Sequence, residues 1–320
     1  MRRFQLLNVL WSSMPLVLSA CTGAQERSQA HATVAFGDAA RFEFGNPASI
    51  ATLPKALREI SGIVALDDER VACVQDEKGN LYEARVRDGE LLGKRALLPD
   101  GDYEAIARLD ERWHFARSDG ALLVVREVDG APPQVEEHAL RLPQKNLEAL
   151  AVDPATEERG ARLLLAGKEP PEGDKEERDL RYIFAFDPKR GELGDEPVWT
   201  LSRKGIRARV AQWMQEQQQA DDKTRTGATA DVKAAAKPKL LLHVSEITVE
   251  PSTRHLWVLS GPDRALFAVD RQGALRAFVH FDESLLPQPE ALAFLPCGDL
   301  VVASEGKDGL GVLARFALRR

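Results

Sequence analysis

Short apolar runs parted by turn residues recur along this chain, and their hydrophobic period is two rather than 3.6. Residues 246–281 contain ITVEP, HLWVLS, ALFAVD and ALRAFVHF, separated by PSTR, GPDR and RQG. Residues rich in β-branched and aromatic side chains, bounded by Pro, Gly and Asp, predict four short antiparallel strands. Residues 60–98 follow the same plan with ISGIVAL, RVACVQ, NLYEARV and LGKRALL.

A glutamate phrase opens each such unit: Glu59-Ile-Ser-Gly-Ile, Glu104-Ala-Ile-Ala, Glu148-Ala-Leu-Ala-Val, Glu246-Ile-Thr-Val and Glu290-Ala-Leu-Ala-Phe. The glutamates are 45, 44, 98 and 44 residues apart. A repeat of about 44 residues with four antiparallel strands has the size of one β-propeller blade. The long interval completes one blade by Ser202 (AVDP, RLLLAG, RYIFAF, PVWTLS). Residues 203–239 then place Ile206, Val210, Trp213 and Met214 at helical spacing. The expectation is an all-β, five-bladed propeller over residues 36–320 with one helical insertion at about 203–239; six blades is the alternative. The last unit offers only three strands, so Arg41–Phe44 (RFEF) is expected to supply its fourth and close the ring.

The N-terminus is different in kind. Arg2 and Arg3 precede an uncharged stretch, Phe4 to Ala20, that is short for a membrane span and carries Gln5, Asn8 and Pro15. It reads as a signal peptide over residues 1–20. Leu18-Ser19-Ala20-Cys21 resembles the lipobox of bacterial lipoproteins, which predicts lipidation (palmitate and diacylglycerol) at Cys21 and a flexible tether over residues 21–35. Thr22 stands where an aspartate would favour retention at the inner membrane, so the outer membrane is expected. The formal charge of −7 becomes −9 once Arg2 and Arg3 are removed. That balance argues against nucleic acid and favours cations. Cys73 and Cys297 have no metal-site spacing and read as free thiols, although an oxidising envelope permits a disulfide.

The phrases EISGI…QDEKGNLYE, DYEAIA…RSDGALLVV, NLEALAVDP…RLLLAGKE, SEITVEPSTRHLWVLS and QPEALAF…GDLVVASEG together resemble the SdiA-regulated (YjiK-like) family of bacterial envelope proteins, from about residue 55 to the C-terminus. That resemblance implies a β-propeller akin to phytase-like propellers and a link to calcium, with no defined activity. This chain departs from the family's D-x-E-G phrase: Ala or Ile follows each glutamate, and only Asp102 stands two before one.

Propeller topology converts the repeat into a site. Innermost strands begin on one face and second strands return to it. Glu59, Glu104, Glu148, Glu246 and Glu290 are therefore expected to ring the channel mouth as metal ligands. Asp76, Arg117, Lys168 and Glu305, at the ends of second strands, are expected to join them. Converging carboxylates must take up protons or hold a cation. A hard ion with loose oxygen coordination, calcium above all, suits them. The alternative is a closed salt-bridge network through Arg58, Arg117 and Lys168, or a small anionic ligand on the last two. His114 and His243 are expected to be ordinary strand residues, and the insertion and the loop EPPEGDKEERD either cover the mouth or dock on their own domain. No GxSxG, HExxH or P-loop occurs. The expected function is a cation-binding envelope lipoprotein; a metal-dependent phytase-like or lactonase-like hydrolase and a metal-free interaction scaffold are the alternatives, with any protein partner undetermined.

Overall fold

A computed structural model of the chain describes residues 33–224, 240–306 and 309–319. Two N-terminal strands, β1 (Val34–Gly37) and β2 (Ser49–Thr52), precede the repeats. Blade 1 contains β3 (Ile60–Ala65), β4 (Arg70–Gln75), β5 (Lys78–Arg85) and β6 (Leu91–Ala96). Blade 2 contains β7 (Tyr103–Leu109), β8 (Arg112–Arg117), β9 (Ala121–Val128) and β10 (Ala131–Ala139). Blade 3 contains β11 (Leu147–Asp153), β12 (Arg162–Gly167) and β13 (Leu180–Asp187), with β14 (Glu192–Leu193) and β15 (Trp199–Ser202) both paired to β13. The one α-helix among the described residues, α1 (Arg203–Thr224), follows. Blade 4 contains β16 (Glu246–Val249), β17 (Leu256–Ser260), β18 (Ala265–Val269) and β19 (Leu275–His280). Blade 5 contains β20 (Gln288–Phe294), β21 (Leu300–Glu305) and β22 (Val312–Phe316).

Every sheet is antiparallel, and the innermost strands form a closed circle: β3 neighbours β7, β7 neighbours β11, then β16, β20 and β3 again. The molecule is thus a five-bladed β-propeller with one helix. The circle is tight. A Cβ on Gly62 would lie 2.9 Å from the amide nitrogen of Ile106 and 3.1 Å from Cα of Ala105 in the next blade. Ala105, Ala149 and Ala291, which take the corresponding place in three other blades, are fully buried.

Ring closure departs from expectation. The strand that completes blade 5 is β2, paired with β22 from Ser49–Arg315 to Thr52–Val312. Arg41–Phe44 meets the same edge only beyond β22, through the isolated antiparallel bridge Phe42–Leu318, with the Glu43 N–H on the Ala317 carbonyl at 3.0 Å and the Arg319 N–H on the Arg41 carbonyl at 2.7 Å. Phe42 and Phe44 instead fill the seam between blades 4 and 5: Phe42 meets Trp257 edge-on at 5.6 Å, and Phe44 lies 4.9 Å from Phe316. Both aromatic rings are worth more buried there than in a strand that would expose part of its surface. β1 adds a fifth strand to blade 4 and begins at Val34, two residues inside the stretch read as tether.

α1 docks on its own domain. Ile206 and Val210 are buried with Phe36, Trp199 and Leu242, and the Trp213 ring stacks on Phe36 at 6.2 Å. Arg181, 2% exposed, clips the chain re-entering blade 4 by donating to the carbonyls of Leu242 (2.5 Å) and Leu241 (3.1 Å). The remainder of the expected insertion, residues 225–239, and the signal peptide with Cys21 lie outside the described residues. Cys73 and Cys297 are free thiols, and burial pushes the Cys73 thiol up.

Candidate functional site

Register, not the recurring glutamate, defines equivalence between blades. In four of them the innermost strand carries a bulge, two residues facing one on the second strand. The bulged residues are Ser61, between the pairs Ile60–Gln75 and Gly62–Val74, and Glu104, Glu148 and Glu290 at the corresponding points of blades 2, 3 and 5. In blade 4 regular pairing begins at Glu246–Leu259, and Ser245 takes the bulge position with its N–H on the carbonyl of Leu259. The inner ring is therefore Ser61, Glu104, Glu148, Ser245 and Glu290. All five line one cavity of about 180 Å³ at the channel mouth.

The same cavity is lined by Glu59, Asp76, Lys168, Gln288 and Glu305. Glu59 reaches it from two residues before the bulge, the position that Asp102 and Gln288 hold in blades 2 and 5. Two expected residues do not reach it. Glu246 stands one residue past the bulge, where the other blades carry Gly62, Ala105, Ala149 and Ala291, and its carboxyl is buried deeper along the axis. Arg117 pairs with Tyr103, and strand alternation turns it outward; its guanidinium holds Asp119 at 2.9 Å and Glu137 at 2.8 Å. A one-residue shift in a strand reverses the face. Ser118 occupies the mouth side instead, its hydroxyl donating to Asp102. Apolar positions carried the signal that would have found Ser61 and Ser245: Val152-Asp153-Pro154 aligns with Val249-Glu250-Pro251, which sets Ser245 opposite Glu148.

Among the described residues, six carboxyl groups thus surround the cavity with one ammonium. Lys168 Nζ lies 2.9 Å from Glu148 Oε1, the pairing expected of it. Arg58 stands only at the limit of contact, 4.0 Å from Glu59. Burial raises the Glu104 carboxyl to about 8, helped by the charges of Glu148 and Asp102 and opposed by Lys168. Burial raises Glu290 to about 7, against a hydrogen bond from Ser245 and the charge of Lys168. Burial likewise raises Asp76 to about 6, with Glu59 next in effect, and Asp76 Oδ1 has no hydrogen-bond partner. Glu148 and Glu305 are also raised, first by burial, and Gln288 donates its amide to Glu305. Among the described residues, no three His, Cys, Asp or Glu groups form a ready-made metal cage. A second cavity opens at the other end of the axis. The two are parted by Ile63, Ile106, Leu150, Ile247 and Leu292, one from each innermost strand, two residues past the bulge.

Among the described residues, no histidine lines this site. His114 lines a separate cavity between blades 2 and 3, and its pKa falls to about 4 through burial. His243 does not line the mouth, and burial lowers it too.

No family model and no curated protein matches the chain. Solved structures do, as β-propellers. The glutaminyl cyclase of Myxococcus xanthus is 10% identical with a TM-score of 0.50, over 86% of this chain and 96% of that one. The virginiamycin B lyase of Staphylococcus aureus is 13% identical with a TM-score of 0.37, over 81% of this chain and 67% of that one. The WD40 propeller domain of Doa1 is 13% identical with a TM-score of 0.42, over 83% of this chain and 95% of that one. The closed ring of five antiparallel sheets defines the class, a β-propeller, and at 10% identity the likeness to the glutaminyl cyclase speaks of fold alone.

Proposed function

We propose that this protein is an envelope lipoprotein that binds a divalent cation, calcium by the character of its ligands, at the acidic mouth of the propeller. One observation carries the reading: among the described residues, six carboxyl groups share a cavity of about 180 Å³ with one lysine. Charges so placed stay ionised only with compensation, and at neutral pH protons supply part of it. A calcium ion accepts six to eight oxygens in flexible geometry, and glutamate side chains are long enough to close on it by rotation. The unpartnered oxygen of Asp76 and the hydroxyls of Ser61 and Ser245 add neutral or uncompensated donors to the set. The envelope setting rests on the lipobox at Cys21 and on the resemblance of the repeats to the SdiA-regulated family.

Thermal melting of the purified mature protein tests the cation reading. A bound ion stabilises the folded state by mass action. Millimolar calcium should raise Tm and chelator should lower it, and the double variant Glu104→Gln, Glu290→Gln should lose that dependence. Melting indifferent to calcium, in a protein that carries no metal as purified, would leave the interaction scaffold ahead. For the anchor, Cys21→Ala should move the protein out of the membrane fraction and abolish palmitate labelling; unchanged retention would contradict it.

A hydrolase reading has one observation of its own. Glu104, protonated near neutrality, and Lys168 face the same cavity, an acid and a cation placed for a phosphoester or lactone beside a bound metal. Turnover of such esters that requires calcium and is lost in Glu104→Gln would favour it over simple binding.

A further inference from the structure

A cavity of about 390 Å³ lies between blades 2 and 3, beside the β7–β8 turn on the face opposite the mouth. His114, Val124 and Glu136 are paired directly across β8, β9 and β10, so their side chains share one face of the sheet, and all three line this cavity. In every blade one second-strand residue faces the innermost strand three residues past the bulge. It is Ala72, Leu164, Trp257 and Val301 in blades 1, 3, 4 and 5, none more than 1% exposed. In blade 2 it is His114, also 1% exposed. The fold takes an apolar side chain at this place, and the imidazole is not needed for packing. Its Nδ1 is buried without a hydrogen-bond partner, which leaves Nε2 as the ring nitrogen toward the cavity.

Arg112 precedes His114 by two residues on the same face, as Arg70 and Arg162 precede Ala72 and Leu164. Those two arginines hold carboxylates. Arg70 binds Asp67 and Glu83, and Arg162 binds Asp153, its partner directly across the sheet. Across from Arg112 stands Leu109, and Arg112 makes no ion pair among the described residues. Nor does Lys189, on the turn after β13 that forms the opposite wall.

We propose that this cavity binds a small zwitterion, an aliphatic α-amino acid, whose carboxylate takes the place of the absent aspartate on Arg112 and whose ammonium meets His114 and Glu136. The charges of the lining explain why both poles are needed. Arg112 and Lys189 are balanced by Asp110 and Glu136, so a simple anion or a simple amine adds a charge that nothing compensates. Burial keeps His114 neutral at pH 7. An ammonium carries only donors, so the imidazole offers it a bare Nε2 and keeps its own proton on Nδ1, with the carbonyls of Arg112 and Ala107 near the ring. A buried polar atom without a partner is costly, and the ammonium relieves that cost. The aliphatic part packs on Leu109, Val124 and Pro188.

Calorimetric titration of the mature protein with L-leucine and its two half-molecules, 4-methylpentanoate and 3-methylbutan-1-amine, tests this. Leucine should bind about tenfold more tightly than either, since each half lacks one charge-assisted contact. Arg112→Gln should weaken leucine and 4-methylpentanoate by about tenfold and leave the amine unchanged. His114→Leu, the residue that blade 3 carries, should weaken leucine and the amine by about tenfold and leave 4-methylpentanoate unchanged. Should the histidine variant fail to fold, Arg112→Gln, on the exposed rim, carries the test alone. Absence of leucine binding to the wild type, leucine no tighter than one of its halves, or wild-type leucine affinity in Arg112→Gln would overturn the proposal.

Discussion

Replacing Glu104 by Gln should stabilise the protein at alkaline pH and leave it nearly unchanged in acid. The folded-state carboxyl titrates at about 8 against an ordinary value of 4.5. Between those limits the folded state holds a proton that the unfolded state has lost. Stability from this group is therefore complete below pH 4.5 and drains away as pH rises through 8. At about 1.4 kcal/mol for each pH unit the full displacement is worth about 5 kcal/mol, and the solvent that still reaches the side chain reduces the expected effect to about 3 kcal/mol. Glutamine has the shape of the protonated acid and cannot ionise. Burial sets most of the value; of the neighbouring charges Glu148, Asp102 and Asp76 push it further up, and Lys168 pulls it down. Urea unfolding of both proteins at pH 4.5, 6, 7 and 8, in chelator, reads the difference directly. The variant's advantage should open progressively across that range. Parallel curves, or a variant less stable at pH 8, would refute the picture of a crowded, under-compensated carboxyl and favour a closed salt-bridge network instead.

Two further outcomes test the frame that holds the mouth. Asp153 is fully buried and binds Arg159 at 2.5 Å, Arg162 at 3.1 Å and Arg271 at 2.7 Å; Asp153→Asn should cost about 3 kcal/mol in chemical denaturation, because three guanidinium groups lose their shared partner. A change under about 0.5 kcal/mol would show that water already screens the cluster. Removing all residues before 54 takes away β2, the closing strand, together with the Phe42 and Phe44 plug, and should lower Tm steeply; a shortened protein that melts like the intact one would show that the ring holds without its N-terminal strand.

Much of this architecture is legible in the sequence because a blade is a local object. Four strands with Pro, Gly and Asp turns repeat within about 44 residues, so the number of blades and the helical spacing at Ile206, Val210 and Trp213 can be read before any long-range contact is known. Closure is not local. RFEF looks more like a strand than Ser49-Ile-Ala-Thr52, and only the aromatic pocket between blades 4 and 5 explains why Phe42 and Phe44 serve as a plug. The mouth was legible in outline, through Glu104, Glu148, Glu290, Asp76, Lys168 and Glu305. It failed at single-residue resolution, where matching the letter Glu set Glu246 at the rim and Arg117 beside it. Bulges break the period of two at the very residues that line the axis, and Ser61 and Ser245 carry no acidic letter to betray their equivalence.

The central claim, a cation held by carboxyl groups that are partly protonated in its absence, predicts that the ion displaces protons. Calcium titrated into the mature protein at pH 7, in buffers of different ionisation enthalpy, should give heats that depend on the buffer and report release of about one proton or more per ion bound. At pH 9, above the values of Glu104 and Glu290, that dependence should disappear while binding tightens. Calcium that binds at pH 7 without releasing protons, or that does not bind at all, would contradict the account.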